Sequence, residues 1–443
     1  MMSSIAQEHS VPSSRRPGQD ARADHSKVAP GEIAIGVVIG RTSEYFDYFV
    51  YGIASVLVFP SVFFPFEPRL EGTLYAFVIF SFAFIARPIG SFAFMVIQRR
   101  YGRGAKLTLA LFLLGTSTAC MAFLPGYDTL GFLAIVLLSI FRIGQGIAFG
   151  GSWDGLPSLL ALSAPQNRRG WYAMMGQLGA PVGFIMASGL FSFLYASLSS
   201  DDFLSWGWRY PFFVTFAINV VALFARLRLV VTSEFEQLFH ERELIPADGR
   251  EFFRSQGYVV VIGAFGALAS YALFNLVTVF PLSWIWLYSK QSITQFFGIE
   301  IFGAFLGAAG IVASGLIADR IGRRRTLGLL ATLIAVFSGF APTLLDGGTL
   351  GQDVFILLGF VLLGLSYGQA AGAMNASFEP RFRYTGAALT SDLAWLIGAG
   401  FAPLVALGLS AHFGLGYVSL YLLSGAACTL AALWINRAME VRD

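Results

Sequence analysis

Twelve windows of about 20 apolar residues follow one another along this chain, beginning near Glu32, Gly72, Leu107, Leu130, Trp171, Arg209, Tyr258, Ile299, Leu327, Val354, Gly386 and Tyr417. That is the length a helix needs to cross the hydrocarbon of a bilayer. No water is available there to backbone N–H and C=O groups, so each window must satisfy its own hydrogen bonds as an α-helix. The pattern predicts an all-α polytopic membrane protein with twelve transmembrane helices. Composition points the same way: 56% of the 443 residues are hydrophobic and only 12% charged, against roughly one quarter charged in a soluble domain.

Basic residues alternate between successive loops. Arg99, Arg100, Arg103 and Lys106 follow span 2, Arg168 and Arg169 follow span 4, Arg320 to Arg325 follow span 8, and Arg381 and Arg383 follow span 10. The loops Pro125 to Thr129, Asp346 to Asp353 and His412 to Gly416 carry no Lys or Arg. The positive-inside rule then places both termini in the cytoplasm, in keeping with Arg15, Arg16, Lys27, Arg437 and Arg442 near the ends. The net charge of +3 is therefore read as orientation signals, and nucleic acid is not an expected partner. Residues 1–30 are polar and are expected to form a disordered cytoplasmic tail, with a short second tail at 437–443. The longest polar interior stretch, 232–256, is the expected cytoplasmic linker between six-helix halves at 31–231 and 257–436.

Two basic islands sit about half a chain apart: Gln98-Arg99-Arg100-Tyr101-Gly102-Arg103 and Ala318-Asp319-Arg320-Ile321-Gly322-Arg323. A loop recurring at equivalent places in two halves marks a duplicated bundle, the parallel-repeat architecture of many transporters.

Formal charges inside spans are costly and mark functional sites. In span 1, Arg41, Glu44 and Asp47 recur every three residues and so share one helical face. Span 2 carries Arg87 before Pro88, and span 4 carries Arg142 and Asp154. An acidic face on span 1 opposite Arg142 forms a proton-coupling unit in which Asp47, Glu44 and Arg142 act together; a buried salt bridge that only fixes packing is the alternative. Arg87 and Arg142 could instead grip a substrate carboxylate in bidentate fashion, although Arg87 stands where a gate or loop anchor is expected. Arg226 and Arg228, ending span 6, are expected at the membrane interface. Tyr45, Tyr48 and Tyr51 are candidates for lining a cavity. Most tryptophans, Trp153, Trp206 and Trp208 among them, are assigned to an interfacial belt, and Cys120 and Cys428 to the core. Gly144 to Gly155 and Gly303 to Gly315 permit close helix approach. No histidine lies mid-span. Neither a metal site nor a cofactor is expected, and the chain offers no nucleophile–base pair of the kind an enzyme needs.

The stretch Gly315 to Arg324, with Asp319, Arg320, Gly322 and Arg323, resembles the signature of the major facilitator superfamily. Further stretches resemble its metabolite:H+ symporter family: Glu44 to Gly52, Ala86 to Gly90, Arg142 to Gly146 with Gly150 and Gly151, Trp206 to Phe212, and Arg383 to Gly386. The resemblance runs from about Gly36 to Trp434. It implies that Asp47 and Arg142 form the coupling pair with Glu44 beside them. It also implies that Asp319, Arg320 and Arg323 form a cytoplasmic latch governing alternating access, with Arg87, Arg99, Gly102 and Arg103 as its first-half counterpart. The chain departs from the family pattern at four places. Arg99 and Ser152 stand where acids are usual, Asp154 where a small residue is usual, and Arg41 where a small polar one is.

The expected function is therefore proton-coupled uptake of a small organic acid through an inner-membrane carrier, with the proton as coupling ion. Arg41, Tyr48, Tyr51, Gln145 and Asp154 are expected to bind this small polar metabolite, and a monomer is expected. Uptake of a zwitterion such as proline or betaine, or proton-driven efflux, are the alternatives.

Overall fold

The computed structural model describes residues 30–230, 232–375 and 378–436; the two expected tails lie outside them, save Pro30. Among the described residues every regular element is helical. Ten stretches are long and apolar enough to cross a membrane. One of them, Arg69–Phe123, is two helices bent at Gly102, and Pro30–Leu57, 28 residues with Arg41, Glu44 and Asp47 at its centre, is long enough to cross as well. The spans are thus α1 (Pro30–Leu57), α2 and α3 (69–101 and 103–123), α4 (Phe132–Ser163), α5 (Arg169–Ser197) and α6 (Ser200–Arg228). The second half holds α7 (Gly249–Gly266 continued by Leu268–Tyr288), α8 (Ile293–Ile321), α9 (Arg323–Asp346), α10 (Gly348–Asn375), α11 (Pro380–Phe413) and α12 (Gly416–Ile435).

Both islands turn their chain in the same way. Gly102 (φ 86°, ψ 170°) separates α2 from α3, and Gly322 (φ 86°, ψ 148°) separates α8 from α9. That region of backbone space is open essentially to glycine alone.

The glycine-rich stretches serve packing. A Cβ at Gly146 would lie 2.3 Å from the Ala83 carbonyl oxygen and one at Gly90 2.1 Å from that of Ile147, so α2 and α4 touch backbone to backbone. In the second half a Cβ at Gly364 would lie 2.1 Å from the Gly307 carbonyl oxygen, so α8 and α10 approach in the same manner. α4 breaks at 152–155, where Gly155 takes a left-handed φ of 79°. Between the halves lies a short helix, Ser233–Glu241, and α7 starts earlier than its apolar window suggests because the Asp248 carboxylate caps it, accepting from the N–H groups of Arg250 and Glu251.

The halves meet at both ends of the bundle. At the end bearing the basic loops, the Asp319 carboxylate accepts from the N–H groups of Gly170 (2.6 Å) and Trp171 (3.1 Å), capping the start of α5. Beside it Lys106 Nζ donates to the Tyr384 hydroxyl (2.7 Å), which donates to Gln98 Oε1 (2.7 Å). At the opposite end the Arg69 guanidinium lies over Trp286 and Tyr195 packs edge-on against the same ring.

Candidate functional site

Cavities open between these two closures, and α1 runs through them. One, of about 520 Å³, is walled by both halves, with Arg41, Tyr45, Trp153, Tyr271, Ser391 and Trp395 on its surface. A second, of about 430 Å³, is lined by Arg41, Glu44, Tyr48, Arg87, Arg142 and Trp395. A smaller one reaches Asp154 and Arg226. Arg41 lines all three.

On the cavity walls two tyrosines of α1 tie the halves together. Tyr48 donates to Asn275 Oδ1 at 2.5 Å, Asn275 donates to the Ala399 carbonyl, and the Tyr45 and Tyr367 hydroxyls share a hydrogen bond. Phe49 stacks on Phe274 across the interface.

The charges on α1 divide into two networks one helical turn apart. Asp47, 1% exposed, accepts from Thr118 Oγ1 (3.0 Å) on α3, Gln145 Nε2 (2.8 Å) on α4 and Asn219 Nδ2 (2.9 Å) on α6. Arg142 makes no ion pair with it. Its Nη1 donates to Gln145 Oε1 (2.9 Å), its Nε to the Phe80 carbonyl (3.2 Å), and its guanidinium lies 3.8 Å from the Tyr51 ring centroid. The expected direct pair is thus bridged by Gln145, which presents its oxygen to the cation and its nitrogen to the acid.

Glu44 belongs to the other network. It accepts from Arg41 (2.9 Å), Arg226 (2.9 Å) and the Ser152 hydroxyl (2.9 Å), while Arg226 also donates to Asp154 at 2.7 and 3.1 Å. Two cations and two carboxylates lie together, and the most buried member, Arg226, is stable there because Nε, Nη1 and Nη2 all donate, to Asp154, Glu44 and the Ser152 carbonyl. Arg226 is 3% exposed; it is buried, not interfacial, because these two acids take its charge inward. Asp154, on the wall of the smaller cavity, occupies Arg226 and so leaves Glu44 able to hold Arg41 as well.

Of the residues expected to bind substrate, Arg41 and Tyr48 line the larger cavities. Tyr51 and Gln145 are fully buried and lie outside the cavity linings: Tyr51 under Arg142, Gln145 within the Asp47 network. Asp154 reaches only the smaller cavity. Among the latch residues, Asp319 spans the halves, Arg320 is exposed, and Arg323 donates to the Gly372 carbonyl (3.2 Å). Arg103 donates to the carbonyls of Asp154 (2.6 Å) and Leu244 (3.0 Å), whereas Arg99 reaches only the Ala247 carbonyl and, at 3.7 Å, Asp248. Arg87 stands on the cavity wall, with its Nε bonded to Asp392 on α11. Trp153 and Trp208 are buried rather than in a belt, and Cys120 faces outward, exposed.

Comparison with known proteins decides what this architecture is. The inner membrane metabolite transport protein YhjE of Escherichia coli K12 is 36% identical over 415 residues, 91% of this chain and 93% of that one. The chain belongs to the metabolite:H+ symporter family of the major facilitator superfamily. It is a multi-pass membrane transporter of metabolites and not an enzyme. The shikimate transporter of the same organism is 32% identical over 416 residues, 90% of this chain and 92% of that one. Its proline/betaine transporter is 28% identical over 385 residues, 83% and 75%. A family model described as "Sugar (and other) transporter" matches residues 33–235. A partially occluded inward-open structure of the xylose transporter XylE from E. coli superposes with a TM-score of 0.70 at 16% identity, over 92% of this chain and 98% of that one, a likeness of fold.

Sequence reading had missed Thr118, Asn219, Arg226, Asn275, Lys106 and Asp392 as parts of this transporter's interior. The rule that singled out Arg41 and Asp47 applies equally to Asp392 and to Glu300, a fully buried acid on α8. Thr118 and Asn219 had no such signal, since single small polar residues are common in spans.

Proposed function

We propose that this transporter takes up a small organic acid together with protons by alternating access. It would act as a monomer in the inner membrane, with both termini and the linker 232–256 cytoplasmic and 31–231 and 257–436 rocking as units. One observation carries the reading. Three guanidinium groups, Arg41, Arg87 and Arg142, stand on the wall of one cavity, and Gln145 joins the last of them to a buried acid, Asp47, that neutral donors alone hold. Guanidinium matches a carboxylate in bidentate geometry. A mono-, di- or tricarboxylate bound there would bring negative charge, and the co-transported proton would offset it.

Asp47 suits the proton's role because it can gain or lose one without breaking an ion pair. Gaining a proton turns one carboxylate oxygen from acceptor to donor. The Thr118 hydroxyl can rotate to receive it, but the Gln145 and Asn219 amide nitrogens cannot. Asn219, which shares that oxygen with Thr118, would then turn away, loosening α1 from α6. No cofactor besides the proton enters this scheme. Uptake of a zwitterion is a second reading, supported by the proline/betaine relative and by Trp153, Trp395 and Tyr271 on the cavity wall, since aromatic faces attract ligand cations.

Internal pH of proteoliposomes, followed with a trapped dye while carboxylates and zwitterions are added outside, tests the proposal. Acidification by carboxylates supports it and acidification by betaine or proline alone selects the second reading. Silence with labelled substrate still entering would exclude proton coupling.

A further inference from the structure

The ion pair between Arg87 and Asp392 has no part in the coupling network, yet it ties α2 of the first half to α11 of the second. Arg87 Nε donates to Asp392 Oδ1 at 2.6 Å, and the other carboxylate oxygen accepts from the Ser91 hydroxyl. Asp392 is 3% exposed. The Arg87 guanidinium sits 5.8 Å from the Trp395 ring centroid, and both residues face the cavity that Arg41 lines. Only the side nitrogen of Arg87 is engaged. Its Nη1 and Nη2, the two prongs that grip a carboxylate end-on, make no hydrogen bond to the described residues.

We propose that Asp392 is an internal counter-anion that sets the affinity and the selectivity of the cavity for carboxylates. It holds Arg87 against α11 in the unladen transporter, and the substrate's carboxylate competes with it for the same guanidinium. Three physical points support this. A guanidinium already facing one carboxylate attracts a second less strongly, so Asp392 lowers carboxylate affinity. Arg87 cannot stay uncompensated in a dry interior, so α2 and α11 are held together until another anion takes Asp392's place. Neutral ligands cannot perform that exchange, and they leave the two helices joined. The inference rests on the carboxylate reading above.

Isothermal titration calorimetry of the purified protein with malate, citrate, shikimate and betaine tests both statements separately. Asp392→Asn is expected to tighten binding of the carboxylate ligand about tenfold, in the usual range for coupling between two sites, while Asp392→Glu stays near wild type. The tightening should vanish in the Arg87→Gln background, where Arg87→Gln/Asp392→Asn binds no better than Arg87→Gln alone. Betaine, whose carboxylate is accompanied by a quaternary ammonium that Asp392 attracts, should tighten less than the dicarboxylates and tricarboxylates. A wild type that binds a carboxylate, with Asp392→Asn unchanged or weaker, overturns this inference and leaves the carboxylate reading standing. A wild type that binds betaine and no carboxylate overturns both. Should Asp392→Asn fail to fold, Asp392→Ser removes the same charge while keeping a small polar side chain; it is expected to tighten carboxylate binding to a similar extent, and its failure to do so also counts against the proposal.

Discussion

The helices α1 and α7 lead the two halves from equivalent places, and both turn polar residues inward, but they use different chemistry. α1 presents Arg41, Glu44 and Asp47; the membrane-embedded part of α7, Leu268–Thr278, presents Tyr271, Asn275 and Thr278, all buried and none a formal charge. The two basic loops differ in a parallel way. Their glycines adopt nearly the same conformation, and the arginine after each reaches a carbonyl of α4 or α10. The residue three before the glycine decides what the loop does. Asp319 is an acid and binds the N–H groups at the start of α5, which the helix dipole makes an anion site. Arg99 carries the opposite charge, and it lies exposed against Ala247 and Asp248. A repeated backbone thus carries formal charges on the first helix of one half and neutral polar groups on that of the other, with an acid capping α5 from one loop only.

That contrast can be broken by experiment, most forcefully at Asp47. Asp47→Asn should reduce uphill uptake driven by a pH gradient to simple equilibration while the protein still inserts, read as labelled substrate in proteoliposomes; normal accumulation would remove coupling from α1. Next comes stability. Arg226→Ala leaves Asp154 without its ion partner and should cost about 3–5 kcal/mol, whereas Asn275→Ala on the neutral side should cost about 1–3 kcal/mol. Unfolding midpoints in detergent would compare them, and equal losses would erase the distinction between the halves. Gly102→Ala and Gly322→Ala should each cost about 1–3 kcal/mol, because both glycines have open space for a Cβ and only the backbone conformation resists it. The smallest effects concern the latch: Asp319→Asn should weaken the closed state by about 1 kcal/mol, as loss of a charged cap does, while Arg99→Ser shifts it by no more than about 0.5 kcal/mol. Distances between spin labels placed on α5 and α8 at the basic end would report both. A larger effect at Arg99 would mean that the linker contact, not the α5 cap, holds that end.

Much of this was legible in the chain. The spans follow from hydrocarbon thickness, and the charges on α1 from the cost of burying them. Asp47, Arg41 and Arg142 come from that reasoning together with the family resemblance. Arg226 was misplaced because it lies near the end of a span, where arginine normally finds headgroups and water; nothing local says that two acids on other helices wait for it. Gln145 was assigned to substrate for the same reason, since its bridging role depends on the distance between α1 and α4. Asp392 required no new rule, only the application of the intramembrane-charge argument to the second half.

By itself, then, the sequence determined the spans, the duplication, the glycine-rich contacts and the place of Arg41, Glu44, Asp47 and Arg142 inside the bundle, because each depends on local composition or on spacing along one helix. Only the tertiary structure decided which partners those charges take: Gln145 between Asp47 and Arg142, Arg226 between Glu44 and Asp154, Asp319 on α5, Asp392 on Arg87. A hydrogen bond requires its atoms within about 3 Å, and apart from Arg142 and Gln145, one turn apart on α4, these pairs stand 72 to 305 positions apart and reach that distance only when the whole bundle is assembled.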